Sequence, residues 1–237
     1  LPVWSAISSR KTNDMTEFDA LTRILAARHS CRAFRPDQVA RAKIEKILTA
    51  AQRVPTWCNS QPWQVVVTSG DETDRLREAL TAEAASAPQT PDLPFPTRYS
   101  DERQERRRTC GWQLYDAVGV EKGDRDGSAR QMMQNFAFFG APHVALITTA
   151  TELGGYGALD CGGFITGFTL AAQSLGIATI AQAAPAGYSP FLHDWFGLGE
   201  DRMVLAVVSF GYADPDHPAN SFRTARAPLA EWVTWRA

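Results

Sequence analysis

Two arginines, a histidine and a serine stand together in the run Arg28-His29-Ser30-Cys31-Arg32, where a helical pattern breaks off. A guanidinium presents a planar fork of N–H donors that fits phosphate oxygens, and freed backbone N–H groups and a hydroxyl add neutral donors beside it. Basic residues at a helix C-terminus also simply answer the helix dipole, so the run alone leaves both readings open. A second basic pair, Arg223 and Arg226, lies far along the chain in a segment without periodicity. It is ordinary surface charge unless the fold carries it to the first pair. The segment Pro55-Thr56-Trp57-Cys58-Asn59-Ser60-Gln61-Pro62-Trp63 sets polar amides among aromatic rings. Such a loop can hydrogen-bond the edge of a planar heterocycle while a ring lies on its face. A plain turn carrying a core tryptophan has the same composition. In Ala181-Gln182-Ala183-Ala184, at a strand end, small side chains let backbone N–H groups approach a ligand, although small residues also simply pack.

Other chemistries lack their residues. There is no G-x-x-x-x-G-K-[ST] run, and Gly154-Gly155-Tyr156-Gly157 continues into Ala158-Leu159-Asp160 instead of completing a dinucleotide fingerprint after a strand. No G-x-S-x-G elbow occurs, and His29, His143, His193 and His217 lack the spacing of a metalloprotease helix. Cys31, Cys58, Cys110 and Cys161 form no C-x-x-C pair. Neither a disulfide framework nor a metal site is therefore expected, and a reducing cytoplasm is the expected location. No side chain is singled out as a catalytic acid, base or nucleophile. With 24 basic against 26 acidic side chains the net charge is −2, so the chain offers no field for nucleic acid or an anionic membrane. The uncharged run Cys161 to Leu192 is long enough to span a bilayer, but its glycines, prolines, Gln173 and Gln182 favour a buried helix followed by a buried strand.

The elements that must position these residues follow from periodicity. At 237 residues, with 44% apolar and 21% charged side chains, the chain suits one globular domain. Residues 1–14 read as an extension, not native to the fold, with Met15 near the natural start; the domain is 15–237. Thr16-x-x-Asp19 opens a helix with Phe18, Leu21, Ile24 and Leu25 on one stripe, ending near Arg28. A second helix follows Pro36-Asp37, with Ala40, Ile44, Ile47, Leu48 and Ala51 inward. Val65 to Val67 reads as a buried strand and Asp71 to Ala85 as an amphipathic helix. About 88–125 is a surface excursion, proline-rich and then densely charged. Asp126 is a candidate cap for a helix that turns Met132, Met133, Phe136 and Phe139 inward. Strands are expected at Val144 to Thr148, Ile177 to Ala181 and Met203 to Ser209, with a long apolar helix from about Leu159 to Gly176 and a short one starting at Ser189-Pro190. Helices alternating with short, continuously apolar strands indicate an α/β sheet covered on both faces. The aromatic tail 212–237, with Trp232 and Trp235, is expected to pack on its own body or on a second subunit.

In this order the pieces resemble the nitroreductase family of flavin mononucleotide (FMN) enzymes, from about Phe18 to Leu229. The resemblance rests on R-x-S-x-R at Arg28, Ser30 and Arg32, on N-x-Q-P-W at Asn59, Gln61, Pro62 and Trp63, and on the closing Asn220-x-x-Arg223-x-x-Arg226. It implies an α/β fold with a small mixed sheet flanked by helices, and an intertwined homodimer with two FMN sites at its interface. It also implies that Arg28, Arg32 and Arg226 hold the FMN phosphate, with Arg223 helping and His29 and Ser30 lending contacts. Pro55, Thr56, Trp57 and Asn59 would approach the isoalloxazine from the other subunit, Asn135 its pyrimidine edge, and Gln182, Ala183 and Ala184 its O4 and N5 side. Several relatives carry a lysine shortly after the position of Asn135; this chain has Phe136, Phe138 and Phe139, so that either Arg130 or Gln134 takes the lysine's place or the redox potential differs. Tyr99, Trp112 and Phe138 are expected to line the acceptor slot, with core packing as their alternative role. The implied activity is hydride transfer from NAD(P)H through FMN to nitroaromatic or quinone acceptors by a ping-pong mechanism. A reductive dehalogenase, a flavin-consuming enzyme, a flavin-binding protein without turnover and a helical interaction module are the alternatives.

Overall fold

The computed structural model describes residues 15–236; the 1–14 extension lies outside the described residues. Helix α1 (Glu17–Ala27) starts as its sequence demands, with a reciprocal capping box: Thr16 Oγ1 accepts from Asp19 N–H at 3.1 Å, and the Asp19 carboxylate accepts from Thr16 N–H at 3.1 Å. Its apolar stripe, however, meets no core, and Phe18, Leu21 and Leu25 are exposed. Helix α2 (Arg41–Ala51) begins later than Pro36-Asp37 suggested. The intervening turn is spent elsewhere, because Val39 is buried and donates its N–H to His143 Nε2 at 2.8 Å.

Strand β1 (Gln64–Ser69) and helix α3 (Asp71–Ser86) follow as expected, then two further helices, α4 (Asp101–Ala117) and α5 (Arg125–Met133). The excursion is thus more regular than its composition suggested. Asp124, not Asp126, caps α5, accepting from Gly127 N–H at 2.8 Å. Met132 ends exposed, while Phe136 and Phe139 turn inward beyond the helix. Strand β2 (His143–Ala150), helix α6 (Gly154–Ser174), strand β3 (Ala178–Gln182), helix α7 (Ser189–Phe196) and strand β4 (Arg202–Gly211) complete the body. Ser189 is buried in the first turn of α7 instead of capping it. Its Oγ accepts from Asp92 N–H at 3.0 Å and donates to Ala186 O at 2.8 Å, tying down the proline-rich segment.

The sheet has the order β1-β2-β4-β3, every neighbouring pair antiparallel. Its mixed character among the described residues is one isolated parallel bridge, Ser30 to Thr179. Period-two alternation along β2 feeds two cores. Val144 and Leu146 meet Leu76 and Leu80 of α3, Phe138 and Leu192 on one face. Ala145 and Ile147 meet Ile44 and Ile47 of α2 and Phe164 and Phe168 of α6 on the other. Val65 to Val67 are only half-buried, because β1 is an edge strand. Gly167 lets α2 and α6 approach: a Cβ there would lie 3.3 Å from Ala51 Cα and 2.9 Å from a Val54 methyl. No described helix is long and apolar enough to cross a membrane.

His143 ties the segment ahead of α2 to the edge of the sheet. Its buried ring stacks on Phe210 at 5.0 Å. Because Nε2 accepts from Val39, the ring is the neutral Nδ1–H tautomer, and it donates to Ser69 Oγ at 2.8 Å. Burial pushes its pKa below the usual histidine value. The native state therefore binds fewer protons at this position than the unfolded chain, and its stabilising contribution is present above about pH 6.5 and lost as pH falls through the lowered native value. Urea unfolding between pH 8 and pH 5 should show stability falling on acidification, with a shallower fall in His143→Gln.

Candidate functional site

From the end of α1 the chain enters an extended stretch anchored on both sides. Cys31 N–H donates to Thr179 O at 3.0 Å, Arg35 N–H to Tyr212 O at 2.9 Å, and Asp214 N–H to Ala33 O at 3.0 Å. The C-terminal tail therefore runs beside the R-x-S-x-R segment, and one side chain fixes the pairing. Asn220, buried, accepts from Arg32 N–H at 2.7 Å and donates through Nδ2 to Ala33 O at 2.9 Å and Asp214 O at 2.8 Å.

That pairing brings all four expected arginines to one cleft of about 310 Å³, lined by Arg28, His29, Ser30, Arg32, Arg223 and Arg226 together with Cys110, Phe222 and Thr224. Among the described residues no carboxylate pairs with any of the four guanidiniums. Arg32 lies over the Phe222 ring at 5.6 Å, and Arg223 and Arg226 donate to tail carbonyls, which aims them without neutralising them. Burial lowers the pKa of Arg28 and Arg32, and for Arg28 the Arg226 charge adds to it. Burial also lowers His29, reinforced by the charges of Arg223, Arg28 and Arg32. Four cations held together, Arg28 and Arg32 half-buried and Arg223 and Arg226 exposed, without counter-charge among the described residues, form a site for a polyanion.

A second cleft, also about 310 Å³, shares Ser30 and Arg32 with the first and continues to Asn135, Gln182 and Ala183, with Ile180 and Phe139 as apolar wall. Gln182 is fixed from both ends: Nε2 donates to Asn135 O at 2.8 Å and Oε1 accepts from Ser209 Oγ at 2.5 Å. Arg32 is the one charged side chain lining this cleft among the described residues. Arg130 and Gln134 face a neighbouring groove instead. Ala184 begins the turn Ala184–Tyr188 just beyond and lines neither cleft.

The remaining expected residues lie apart. Pro55, Thr56, Trp57 and Asn59 line neither cleft. Their loop is set on α6, where Asp160 accepts from Trp57 N–H at 3.0 Å and the exposed Trp57 ring packs 5.0 Å from Tyr156. Cys58, Asn59 and Gln61 have φ of 47°, 58° and 46°, left-handed values uncommon outside glycine that recur at ligand clamps. Trp63 stacks on Phe164 at 4.9 Å, in keeping with the core role. Tyr99 and Trp112 are exposed and line neither cleft; Trp112 borders a separate groove with Asp116 and Lys122. Phe138 must be corrected: fully buried among Leu76, Leu80 and Val144, it cannot line a slot. The excursion does reach the second cleft, through Gly111, Leu114 and Tyr115 of α4, none of which the sequence reading singled out. Cys110 was missed as well, and Asn220 stood only as part of the closing motif, not as the tie between the two segments. The buried thiols of Cys31 and Cys161 are pushed up to about 11 by burial and are unsuited to nucleophilic work. No group of three or more metal-ligating side chains occurs among the described residues.

Comparison with known proteins gives one consistent result. Residues 25–212 match the description Nitroreductase family. The chain is 35% identical to nitroreductase NfnB of Mycolicibacterium smegmatis over 90% of its length and 91% of that protein's. It is 32% identical to a 4-nitrobenzoate reductase of Pseudomonas putida, covering 89% and 91%. Its fold superimposes on the crystal structure of the FMN-dependent nitroreductase NfnB from Mycobacterium smegmatis in complex with NADPH with a TM-score of 0.89 at 33% identity, covering 93% of this chain and 99% of that one.

Asn220→Ala would strip the acceptor from Arg32 N–H and the donor from the buried Ala33 carbonyl and the part-buried Asp214 carbonyl. A loss of about 2 to 3 kcal/mol in denaturant unfolding is expected. Asn220→Asp keeps the acceptor for Arg32 N–H but turns a carboxylate oxygen toward the two carbonyls, and should lose at least as much.

Proposed function

The chain belongs to the nitroreductase family, and on that premise we propose that it is an FMN-dependent oxidoreductase, using NAD(P)H to reduce nitroaromatic or quinone acceptors. The observation that carries the reading is the meeting of four guanidiniums from two distant segments, none paired with a carboxylate among the described residues, on a cleft continuous with one lined by amides and small residues. These residues fit the group: Arg28, Arg32, Arg223 and Arg226 would hold the phosphate, with Ser30 as a neutral donor. Asn135, Gln182 and the backbone around Ala183 would meet the edge of the ring system. When bound, FMN supplies hydride acceptance and donation, chemistry that no side chain of this protein offers. The protein's work is positioning and electrostatics. Arg32, lining both clefts, is placed to serve phosphate and ring alike, and takes the part that sequence left to Arg130 or Gln134. Leu114 and Tyr115, rather than Tyr99, Trp112 or Phe138, are the residues of the excursion suited to select the acceptor.

We read the 15–237 domain as functioning in a cytoplasmic homodimer. Pro55, Thr56, Trp57 and Asn59 sit on a rigid loop away from this chain's own clefts, as a contribution to a neighbour's site requires. Large apolar side chains are uncovered: Tyr156 beside Trp57, and also Phe18 and Leu21 of α1, Leu159 of α6 and Trp232 and Trp235 of the tail. Monomers rarely leave such areas in water.

Sedimentation should give a dimer, with more than about 2,000 Å² buried in total; a monomer that retains flavin would end the two-chain reading. Initial rates measured anaerobically while NAD(P)H and acceptor are varied together should give parallel double-reciprocal lines, since both substrates would use one slot in turn. Intersecting lines would exclude the shared slot, and a coloured protein that transfers no hydride would favour the passive flavin binder.

A further inference from the structure

His29 stands on the cleft of the four arginines in a state at odds with an anion. Its Nδ1 contacts Ala27 O at 3.2 Å, and a carbonyl can only accept, so Nδ1 carries the proton. Nε2 has no partner among the described residues, and in the neutral ring of this cleft-lining residue it carries a lone pair. A lone pair repels a phosphate oxygen, whereas a protonated Nε2 would donate to it.

We propose that entry of the flavin phosphate draws a proton from solvent onto His29 Nε2, so that cofactor binding is coupled to proton uptake. The proposal rests on the reading of this cleft as the FMN phosphate site. The charges that face the ring are Arg28 and Arg32 from its own segment and Arg223 and Arg226 from the tail, with the Cys110 thiol on the α4 side and only Leu25 and Ala26 from α1. Arg106 of α4 lines the adjoining groove that shares Cys110 and Arg226 with this cleft, and is already paired with Glu231. All the fixed charges are therefore positive, and together with burial they keep the imidazole neutral before an anion enters. A phosphate dianion reverses the sign of the local field. The histidine is then held above its earlier pKa, and between the two values binding takes up a proton, so affinity falls as pH rises through that window. Ser30 and the arginines cannot play this part, because a hydroxyl and a guanidinium do not change charge in this range.

The test is calorimetric titration of the full chain, freed of flavin, with FMN and with riboflavin, in buffers of different ionisation enthalpy from pH 5.5 to pH 8, for wild type, His29→Asn and His29→Gln. The phosphate's own second proton, with a pKa of about 6, is released on binding in all three proteins, so the difference between them isolates His29. The expected result is greater proton uptake by wild type than by either variant, with FMN only. Wild-type affinity should gain roughly three- to tenfold over the variants on going from pH 8 to pH 5.5. Equal proton counts in wild type and variants, with FMN still bound far more tightly than riboflavin, would overturn the proposal and leave the phosphate site standing. Equal affinity for FMN and riboflavin would instead remove the phosphate site itself, and the proposal with it.

Discussion

The side-chain amide of Asn220 joins the two halves of the cleft. On one side is a stretch fixed to the sheet through Thr179; on the other is a tail with no strand or long helix of its own. A tail without repeating backbone hydrogen bonds needs side chains to hold it, and an amide, with an acceptor and two donors, can satisfy three backbone groups at once. The arginines depend on this tie. Bringing four cations together is unfavourable, and the backbone that carries them must be held by contacts that do not rely on the charges. The electrostatic strain is thereby stored in a rigid frame, which is the condition for a site that greets an anion already assembled.

Much of this was legible in the residue types. Both basic pairs, the amide-rich loop, the strand end at Gln182 and nearly every element could be placed, because guanidiniums and apolar periodicity leave signatures in one dimension. What could not be read depends on distance or on backbone. Asn220 binds Ala33, 187 residues away, through groups every residue possesses. The late start of α2 depends on a hydrogen bond to a histidine on another strand. Phe138 takes the core role that was its alternative, since a phenylalanine that packs and one that lines a slot look alike until burial is known. Leu114 and Tyr115 escaped notice because α4 buries no residue and so lacks the apolar rhythm by which helices announce themselves.

The two faces of the sheet divide the labour. The face covered by α3 and α7 has the 135–140 turn at its edge and so supports the ring cleft through Asn135 and Phe139. The face covered by α2 and α6 carries the Trp57 loop and the uncovered aromatic surface. His143 lies on the face of Ala145 and Ile147 and bonds Val39 ahead of α2 and Ser69 of the neighbouring strand, so a change in either is felt through a ring with no freedom to turn.

Helix α4 stands outside this economy of packing. It forms one wall of the ring cleft, yet contributes nothing to either core, and its ion pair with the tail is between solvent-exposed groups of small energetic weight. Substitutions along it are therefore almost free of folding cost, whereas the opposite wall, made of Gln182, Ile180 and Phe139, is bound into the sheet and core. The scaffold thus separates what must be kept from what can vary: a lineage can rework the shape of the chamber one residue at a time on α4, never passing through an unfolded intermediate. Diversity of acceptors in such a protein would accumulate on one helix, and the frame that holds the cofactor would scarcely record it.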